Sequence, residues 1–326
     1  MAVPTTLTSA DSGAPALSGT DGAGYAFIKW ALTGLGWTLE FDDPARFVCV
    51  VRNRAAYPGT GQYLRINDDS ATYTVAASSA RQTEVRALEY CNGIDDVSGQ
   101  FAQGFQIKSS ALSSTARSYT VVGDDRTAVF LVSHDGAEPS WNYAGDIAVL
   151  DPSDPGCFLC GFAEEAANTN TRVVSAVTGF SRNPIISTIE LARRINRSAT
   201  FAQSLGRLAS ANLGARVDGG LTANATGGDG TTASPFNSAV FLTKCYFREF
   251  GKIRGFLRGL NAYLNDVEGS IATGTVINRS LEWGSRPVTH YNLQNARSSA
   301  TSQSGAIGLD KGDWDDYEPW LVGAAA

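Results

Sequence analysis

The most conspicuous candidate for chemistry is the Cys-x-x-Cys pair formed by Cys157 and Cys160. In a thiol oxidoreductase such a pair opens a helix, whose N-terminus lowers the pKa of the first thiol. Here the pair lies in the apolar run CFLCGF, residues 157–162, for which we expect a strand. The other three cysteines are isolated along the chain: Cys49, Cys91 and Cys245. A zinc site needs a second pair of ligands, so the pattern favours buried structural thiols over a disulfide and over a metal or redox site.

Adjacent carboxylates are the next candidates, because glycoside hydrolases use two carboxylates that flank the scissile bond. The chain has such neighbours at Asp124-Asp125 and at Asp315-Asp316. Adjacent residues of a strand point to opposite faces, and both pairs stand at turn-like positions. We therefore interpret them as turn residues or surface ion pairs.

Histidine is the commonest general base and metal ligand, and it occurs only at His134 and His290. The sequence contains no Gly-x-Ser-x-Gly motif, no Walker motif and no dinucleotide-binding glycine motif ahead of a helix. We therefore expect a protein that is not an enzyme and that holds no cofactor and no metal.

The composition of the 326-residue chain suits a β-rich protein. Hydrophobic residues make up 43% and charged residues 18%, and the 34 glycines favour many turns over long helices. The net charge is −6 and Lys and Arg form no run, so we expect no reading of nucleic-acid sequence. We also expect no membrane span, since long apolar runs are missing. The N-terminus does not resemble a signal peptide, and the five cysteines are expected to be mostly reduced, as in a cytoplasm.

One short helix is predicted in residues 25–37. Thr20 or Asp21 is the expected N-terminal cap, and Gly34 and Gly36 are expected to end the helix. Its apolar face is formed by residues at helical spacing: Tyr25, Ile28, Leu32 and Leu35.

Short β-type runs separated by turn residues follow at intervals of about 8–12 residues, the spacing of an antiparallel sheet. These runs are residues 37–41, 47–53, 62–68, 71–77, 84–91, 118–122, 127–133, 146–150 and 157–162. The runs at 118–122 and 127–133 predict a hairpin around Asp124-Asp125, whereas the polar residues 92–117 predict a loop.

The predicted fold is mainly β (β-rich α+β), with two antiparallel β domains and one short N-terminal helix. An extended arm covers residues 1–20, the first β-rich domain residues 21–165, and the second β-rich domain residues 166–326. The second domain contains a long Gly/Thr-rich loop at residues 210–238.

Two segments of the second half carry specific expectations. Residues 185–208 allow two interpretations, either a helix or two β segments around Asn196-Arg197. The apolar residues 238–250 and 254–266 predict a pair of strands.

Both ends of the chain contain candidate interface residues. In the acidic C-terminal segment, Trp314, Tyr317 and Trp320 need a partner or a core to cover their rings. Core packing, stacking on sugars and a subunit interface are the alternatives. In the arm, Pro15 and Leu17 stand among small residues that suit a groove. We hypothesise that neighbouring subunits order both ends.

Several segments along the chain together resemble a family of tailed-bacteriophage virion proteins. They are TSADSGAPALSGTDG, YLRINDD, EVRALEY, GDDRTAVFLV, GDIAVLDPSDPG, KIRGFLRGLNAYL and SGAIGLDKGDWD. The resemblance covers most of the chain and is weakest at residues 92–117 and 163–238.

The resemblance implies a structural component of a virion, in the tail, baseplate or neck, made in the cytoplasm of the host bacterium. Its implied partners are other virion proteins and copies of itself, and the family supplies no catalytic residues. The alternatives are a tail appendage that binds a host receptor or surface glycan, and a capsid decoration protein.

Overall fold

The computed structural model describes the chain in segments. They are residues 4–69, 81–109, 114–132, 140–150, 157–162, 190–193, 203–204, 216–218, 243–249, 252–264, 276–281, 284–292, 305–310 and 314. These residues form one helix and strands arranged in two antiparallel sheets, so the mainly-β expectation is confirmed. The predicted strand at 71–77 and the centre of the predicted boundary near 165 lie outside the described residues.

The smaller sheet has five strands in the order of the sequence. They are β2 (Thr38–Asp43), β3 (Val48–Arg52), β4 (Tyr63–Asn67), β5 (Arg81–Leu88) and β6 (Gln100–Ser109). The loop prediction is wrong at residues 100–109, because β6 pairs with β5 along its length. Its polar residues Gln106 and Lys108 are buried, so polarity gave a false signal of exposure.

The larger sheet has thirteen strands among the described residues. Its main path runs through β1 (Thr5–Thr8), β7 (Tyr119–Gly123), β8 (Thr127–Val132), β9 (Ser140–Val149), β15 (Lys252–Leu264), β18 (Gly305–Asp310), β17 (Gly284–Asn292) and β16 (Val276–Leu281). The hairpin predicted around Asp124-Asp125 is the β7–β8 pair.

Side branches complete this sheet. They are β10 (Cys157–Gly161), β11 (Glu190–Arg193), β12 (Gln203–Ser204), β13 (Arg216–Asp218) and β14 (Thr243–Glu249). The first three pair in succession on β9, while β14 joins β13 to β15.

The C-terminal half follows the sequence-based expectations in two places and departs from them in a third. Of the two interpretations of residues 185–208, the described parts are the antiparallel strands β11 and β12. The predicted pair of strands at 238–250 and 254–266 is confirmed by β14 and β15. Residues 216–218, placed in the long loop by sequence, form the short strand β13.

Strand β15 joins the two halves of the chain. It pairs with β9, with Gly255 opposite Val149 and Leu257 opposite Ile147. One sheet therefore contains strands from both predicted β domains.

The helix α1 (Ala23–Gly34) lies between the two sheets. All four residues of its predicted apolar face are buried, and so are Phe27 and Ala31. The Phe27 ring lies 4.3 Å from that of Tyr119 in β7 and 5.9 Å from that of Phe130 in β8. Because sheets cover the helix on more than one side, its buried surface is wider than a single stripe.

The predicted cap of this helix is wrong. The N-cap is Gly22, at φ 80°, and no side chain of the neighbouring sequence caps the helix. Instead the Asp68 carboxylate, which follows β4, accepts hydrogen bonds from the backbone N–H groups of Gly24 (2.8 Å) and Tyr25 (3.3 Å). A carboxylate satisfies the open N–H groups of a first turn and matches the helix dipole.

The main core lies between the sheets and contains residues from the arm to β10. It includes Cys49 and Ile66 of the smaller sheet, Phe130 and Phe158 of the larger sheet, and Leu17 of the arm. Within the described residues, the single helix is too short and not apolar enough to cross a membrane.

Candidate functional site

The arm residues predicted at an interface contact their own chain. Leu17 is fully buried in the core, and its carbonyl accepts a hydrogen bond from the N–H of Arg117 (2.7 Å). The Tyr119 hydroxyl donates to the carbonyl of Pro15 (2.8 Å), which is half-buried. Since Leu17 has no accessible surface, its apolar side chain is covered by the chain itself.

The described tail residue also contacts its own chain. Trp314 is buried, and its ring lies against Gly259 and beside the guanidinium of Arg258, 5.7 Å from the ring centroid. Tyr317 and Trp320 lie outside the described residues.

The Cys-x-x-Cys pair lies on a strand, as predicted. In β10, Cys157 stands opposite Arg193 of β11, and Cys160 stands opposite Ala144 of β9. Cys160 is buried. An offset of three places the two residues on opposite faces of the strand. In the described part of the chain, no group of three or more His, Cys, Asp or Glu residues is arranged to hold a metal ion.

The predicted turn at Asp124-Asp125 is confirmed, but Asp124 is buried rather than on the surface. Its Oδ1 accepts hydrogen bonds from the backbone N–H groups of Arg126 and Thr127, both at 2.9 Å, which close the β7–β8 turn. A carboxylate that bonds its own backbone two residues further on is a common turn device.

Arg258 of β15 binds Asp124 with both terminal nitrogens. The two distances are 2.9 Å to Oδ1 and 2.7 Å to Oδ2, and the first nitrogen also donates to the Thr127 hydroxyl at 3.0 Å. The planar guanidinium fork matches a carboxylate in this geometry. The pair therefore fixes the C-terminal strand β15 against the β7–β8 turn.

A second carboxylate, Asp146 of β9, lies in the same buried region. It accepts hydrogen bonds from the Asn53 amide (2.9 Å), from the Thr60 hydroxyl and backbone N–H (3.2 Å for the latter), and from Arg126 Nε (3.3 Å). Asn53 and Thr60 belong to the connection between β3 and β4. Asp146 therefore links the larger sheet to a loop of the smaller sheet.

The two carboxylates have opposite pKa shifts. Burial acts to raise the pKa of Asp124, but the hydrogen bonds and charge of Arg258 outweigh it, and the pKa is lowered. Burial raises the pKa of Asp146 despite the opposing effect of Arg126. Charge is therefore stabilised at Asp124 and disfavoured at Asp146.

These groups hold a loop that we call the Tyr57 loop, residues 53–62. The Asn53 side-chain oxygen accepts from the N–H of Gln62 (2.7 Å), and Asp146 holds both ends of the loop through Asn53 and Thr60. Arg54 donates its backbone N–H to the backbone carbonyl of Asp125 (2.8 Å), and its guanidinium forms an ion pair with the side-chain carboxylate of Asp125 (3.2 Å).

The tip of this loop exposes a large aromatic side chain. Tyr57 is 67% exposed, against 48% for Tyr90, 40% for Leu39 and 36% for Leu150, the other exposed large hydrophobic residues among those described. The sequence Tyr57-Pro58-Gly59 is typical of a turn and does not by itself predict a binding site. The available signal was an aromatic residue at a turn between two buried strands, which loops of a rigid scaffold use for binding.

No protein-family model matches the chain, and no curated protein is significantly similar to it.

Proposed function

We propose that this chain is a structural component of a tailed-bacteriophage virion, in the tail, baseplate or neck, and that it acts through protein–protein contacts. The segments quoted above support the assignment to a virion by their resemblance to that family. The observation that carries the contact function is the exposed Tyr57 on a loop held at both ends by buried polar groups.

The Tyr57 loop has the physical properties of a contact site. Tyrosine is enriched among the residues that dominate binding energy at protein interfaces. A loop fixed by Asp146, Asn53 and Arg54 loses little conformational freedom on binding, so more of the contact energy appears as affinity. The loop therefore presents its anchor in a preorganised form.

The second candidate is a tail appendage that binds a host glycan, because an exposed aromatic ring also stacks on sugars. Trp314 was one of the aromatic residues that suggested such a surface, but its ring is covered by Gly259 and Arg258. This position favours the protein-contact function over the glycan-binding one.

The test uses phage particles that carry the gene for this chain, with Tyr57→Ala as the variant and Tyr90→Ala as the matched exposed-tyrosine control. Quantitative mass spectrometry of gradient-purified particles should detect the wild-type chain and the Tyr90→Ala chain at equal copy number. Tyr57→Ala should lower the copy number at least several-fold while the melting temperature of the isolated chain stays unchanged.

Two outcomes would contradict the proposal. Absence of the wild-type chain from purified particles would exclude a virion component. Full incorporation of Tyr57→Ala, combined with loss of binding to host-cell glycans, would replace the protein-contact function with the glycan-binding one.

A further inference from the structure

A lysine and an aspartate are in direct contact inside the smaller sheet. Lys108 of β6 places Nζ 2.6 Å from Oδ1 of Asp68, and the side chains are 1% and 0% exposed. The two residues are 40 positions apart in the sequence. Burial of two opposite charges carries a large desolvation cost, which their attraction offsets only in part.

Both oxygens of the Asp68 carboxyl group are held by hydrogen-bond donors. Oδ2 accepts from the N–H groups of Gly24 and Tyr25 at the start of α1, at 2.8 and 3.3 Å. Oδ1 accepts from the Thr83 hydroxyl at 2.9 Å, in addition to Lys108. Lys108 also donates to the carbonyl of Thr20 at 2.8 Å.

We propose that Lys108 and Asp68 join in an intramolecular isopeptide bond, formed by the folded chain itself. The ion pair first becomes a neutral amine and a neutral carboxylic acid by transfer of one proton from Nζ to the carboxyl group. Nζ then attacks Cγ, the Nζ–Cγ bond forms and the Cγ–Oδ1 bond breaks. Oδ1 leaves as water with the carboxyl proton and a second proton from Nζ, so no oxidant, reductant or co-reactant is needed.

The surroundings supply what this condensation requires. Two backbone N–H groups point at Oδ2, where negative charge develops when nitrogen attacks the carboxyl carbon. The Thr83 hydroxyl contacts Oδ1, the leaving oxygen, and is placed to pass a proton to it. The fold holds amine and acid in contact, which removes the entropy cost of bringing them together.

The buried location favours the neutral, reactive forms. Burial raises the pKa of Asp68 and outweighs the opposing effect of Lys108. An amine and an acid carry no net charge, so they avoid the cost of keeping ions in a medium of low dielectric constant. Exclusion of bulk water also disfavours hydrolysis of the amide.

The product amide keeps most hydrogen bonds of the site. Its oxygen is Oδ2, which still accepts from Gly24 and Tyr25. Its nitrogen is Nζ of Lys108, whose one remaining N–H still donates to the carbonyl of Thr20. The bond would thereby close a covalent ring from β4 to β6 and anchor the start of α1 without a buried charge.

The experiment is the intact mass of the purified full-length chain, measured under denaturing conditions after correction for N-terminal methionine processing. The expected mass is that of the sequence minus one water. Proteolysis should release a branched peptide that contains Asp68 and Lys108, identified by fragmentation. Lys29 and Asp42 provide an internal control, because their more exposed ion pair at 3.1 Å should yield no branched peptide.

Two variants sharpen the assignment. Asp68→Asn should form the same bond with loss of ammonia instead of water, whereas Lys108→Arg should retain the full mass of its sequence. If the wild-type chain is folded and keeps its full mass after prolonged incubation, the proposal is overturned, whatever the variants do. A water loss mapped to another pair of residues would also overturn it.

Discussion

Two of the buried ion pairs among the described residues differ in range and in chemistry. Asp68 and Lys108 join neighbouring parts of the smaller sheet around the start of α1. Asp124 and Arg258 are 134 residues apart and join the β7–β8 turn to a strand from the C-terminal half. The first pair organises one layer, and the second connects the two halves of the chain.

The pair within one sheet uses lysine, whereas the pair that connects the two halves of the chain uses arginine. Arginine stays protonated under all ordinary conditions and binds a carboxylate through two parallel hydrogen bonds, which fixes direction as well as distance. Lysine is a point charge whose amine can lose its proton when buried. The Asp124 pair is therefore a permanent ionic clamp, whereas the Asp68 pair is the one for which we propose a reaction through the neutral forms.

Removal of the clamp should give the largest effect. Arg258→Ala leaves Asp124 buried without its guanidinium, and truncating one partner of a buried pair lowers the free energy of unfolding by about 3–5 kcal/mol. Urea unfolding measures the change. Arg54→Ala is the control, because its ion pair with Asp125 is about one-third exposed and should contribute only ~0–1 kcal/mol. Equal losses in the two variants would contradict the clamp.

The next test separates the two carboxylates of the larger sheet at neutral pH. Asp124→Asn removes the charge that Arg258 binds and should cost about 3 kcal/mol. Asp146→Asn changes an acceptor whose charge is already disfavoured and should cost about 1–2 kcal/mol. The reverse order in urea unfolding would show that Arg258 is not the main partner of Asp124.

The pH dependence has opposite signs for these residues. The lowered pKa of Asp124 gives stability that is complete above the ordinary aspartate value, about 3.9, and is lost as pH falls through the lowered value. The raised pKa of Asp146 gives stability that is present below that value and is lost as pH rises through the raised one. The free energy of unfolding, measured as a function of pH, checks both signs. Asp124→Asn should remove the loss of stability below the ordinary aspartate pKa, and Asp146→Asn should remove the loss of stability above it.

An effect smaller than that of Arg258→Ala is expected where the tail packs beside the clamp. Gly259 has φ +72°, and a Cβ there would overlap the ring of Trp314. Gly259→Ala should therefore cost about 2–4 kcal/mol, the sum of steric overlap and left-handed backbone strain. Gly13→Ala is the matched control, because Gly13 has φ +80° and open space around its Cβ position. Thermal unfolding should show a clearly larger decrease for Gly259→Ala.

The smallest effect belongs to the Asp68 pair. Thr83→Val keeps the shape of the side chain but removes the hydroxyl that donates to Asp68. In the Lys108→Arg background, where that carboxyl oxygen stays in place, the loss of one hydrogen bond should lower the free energy of unfolding by about 0.5–1.5 kcal/mol. A cost near that of Arg258→Ala would erase the distinction between the two pairs, and unfolding in urea decides between these outcomes.

Local pattern was sufficient for most elements of the first half. Helical spacing correctly placed Ile28 and Leu32 in the core, and turn residues correctly placed the β7–β8 hairpin. The strand β6 was missed because Gln106 and Lys108 are buried by partners elsewhere in the sequence. Polarity indicates exposure only where no buried partner exists.

The polar sites depended on contacts that no local pattern carries. The helix cap is Asp68, 44 residues after Gly24, so the neighbouring Thr20 and Asp21 were reasonable but wrong choices. The turn at Asp124 was predictable from its own sequence, whereas its pairing with Arg258 required the β9–β15 register. The Tyr57 loop was visible as a turn, but its exposure depends on how Asp146 holds it.

The position of β15 in the middle of the larger sheet has a consequence for synthesis. Asp124 leaves the ribosome 134 residues ahead of Arg258, a delay on the order of ten seconds at the usual rate of translation. During that interval the end of β9, from Ile147 to Val149, lacks the partner that β15 later supplies. This end of β9 is therefore an unpaired strand edge, which favours pairing with another chain until the C-terminal half has been synthesised.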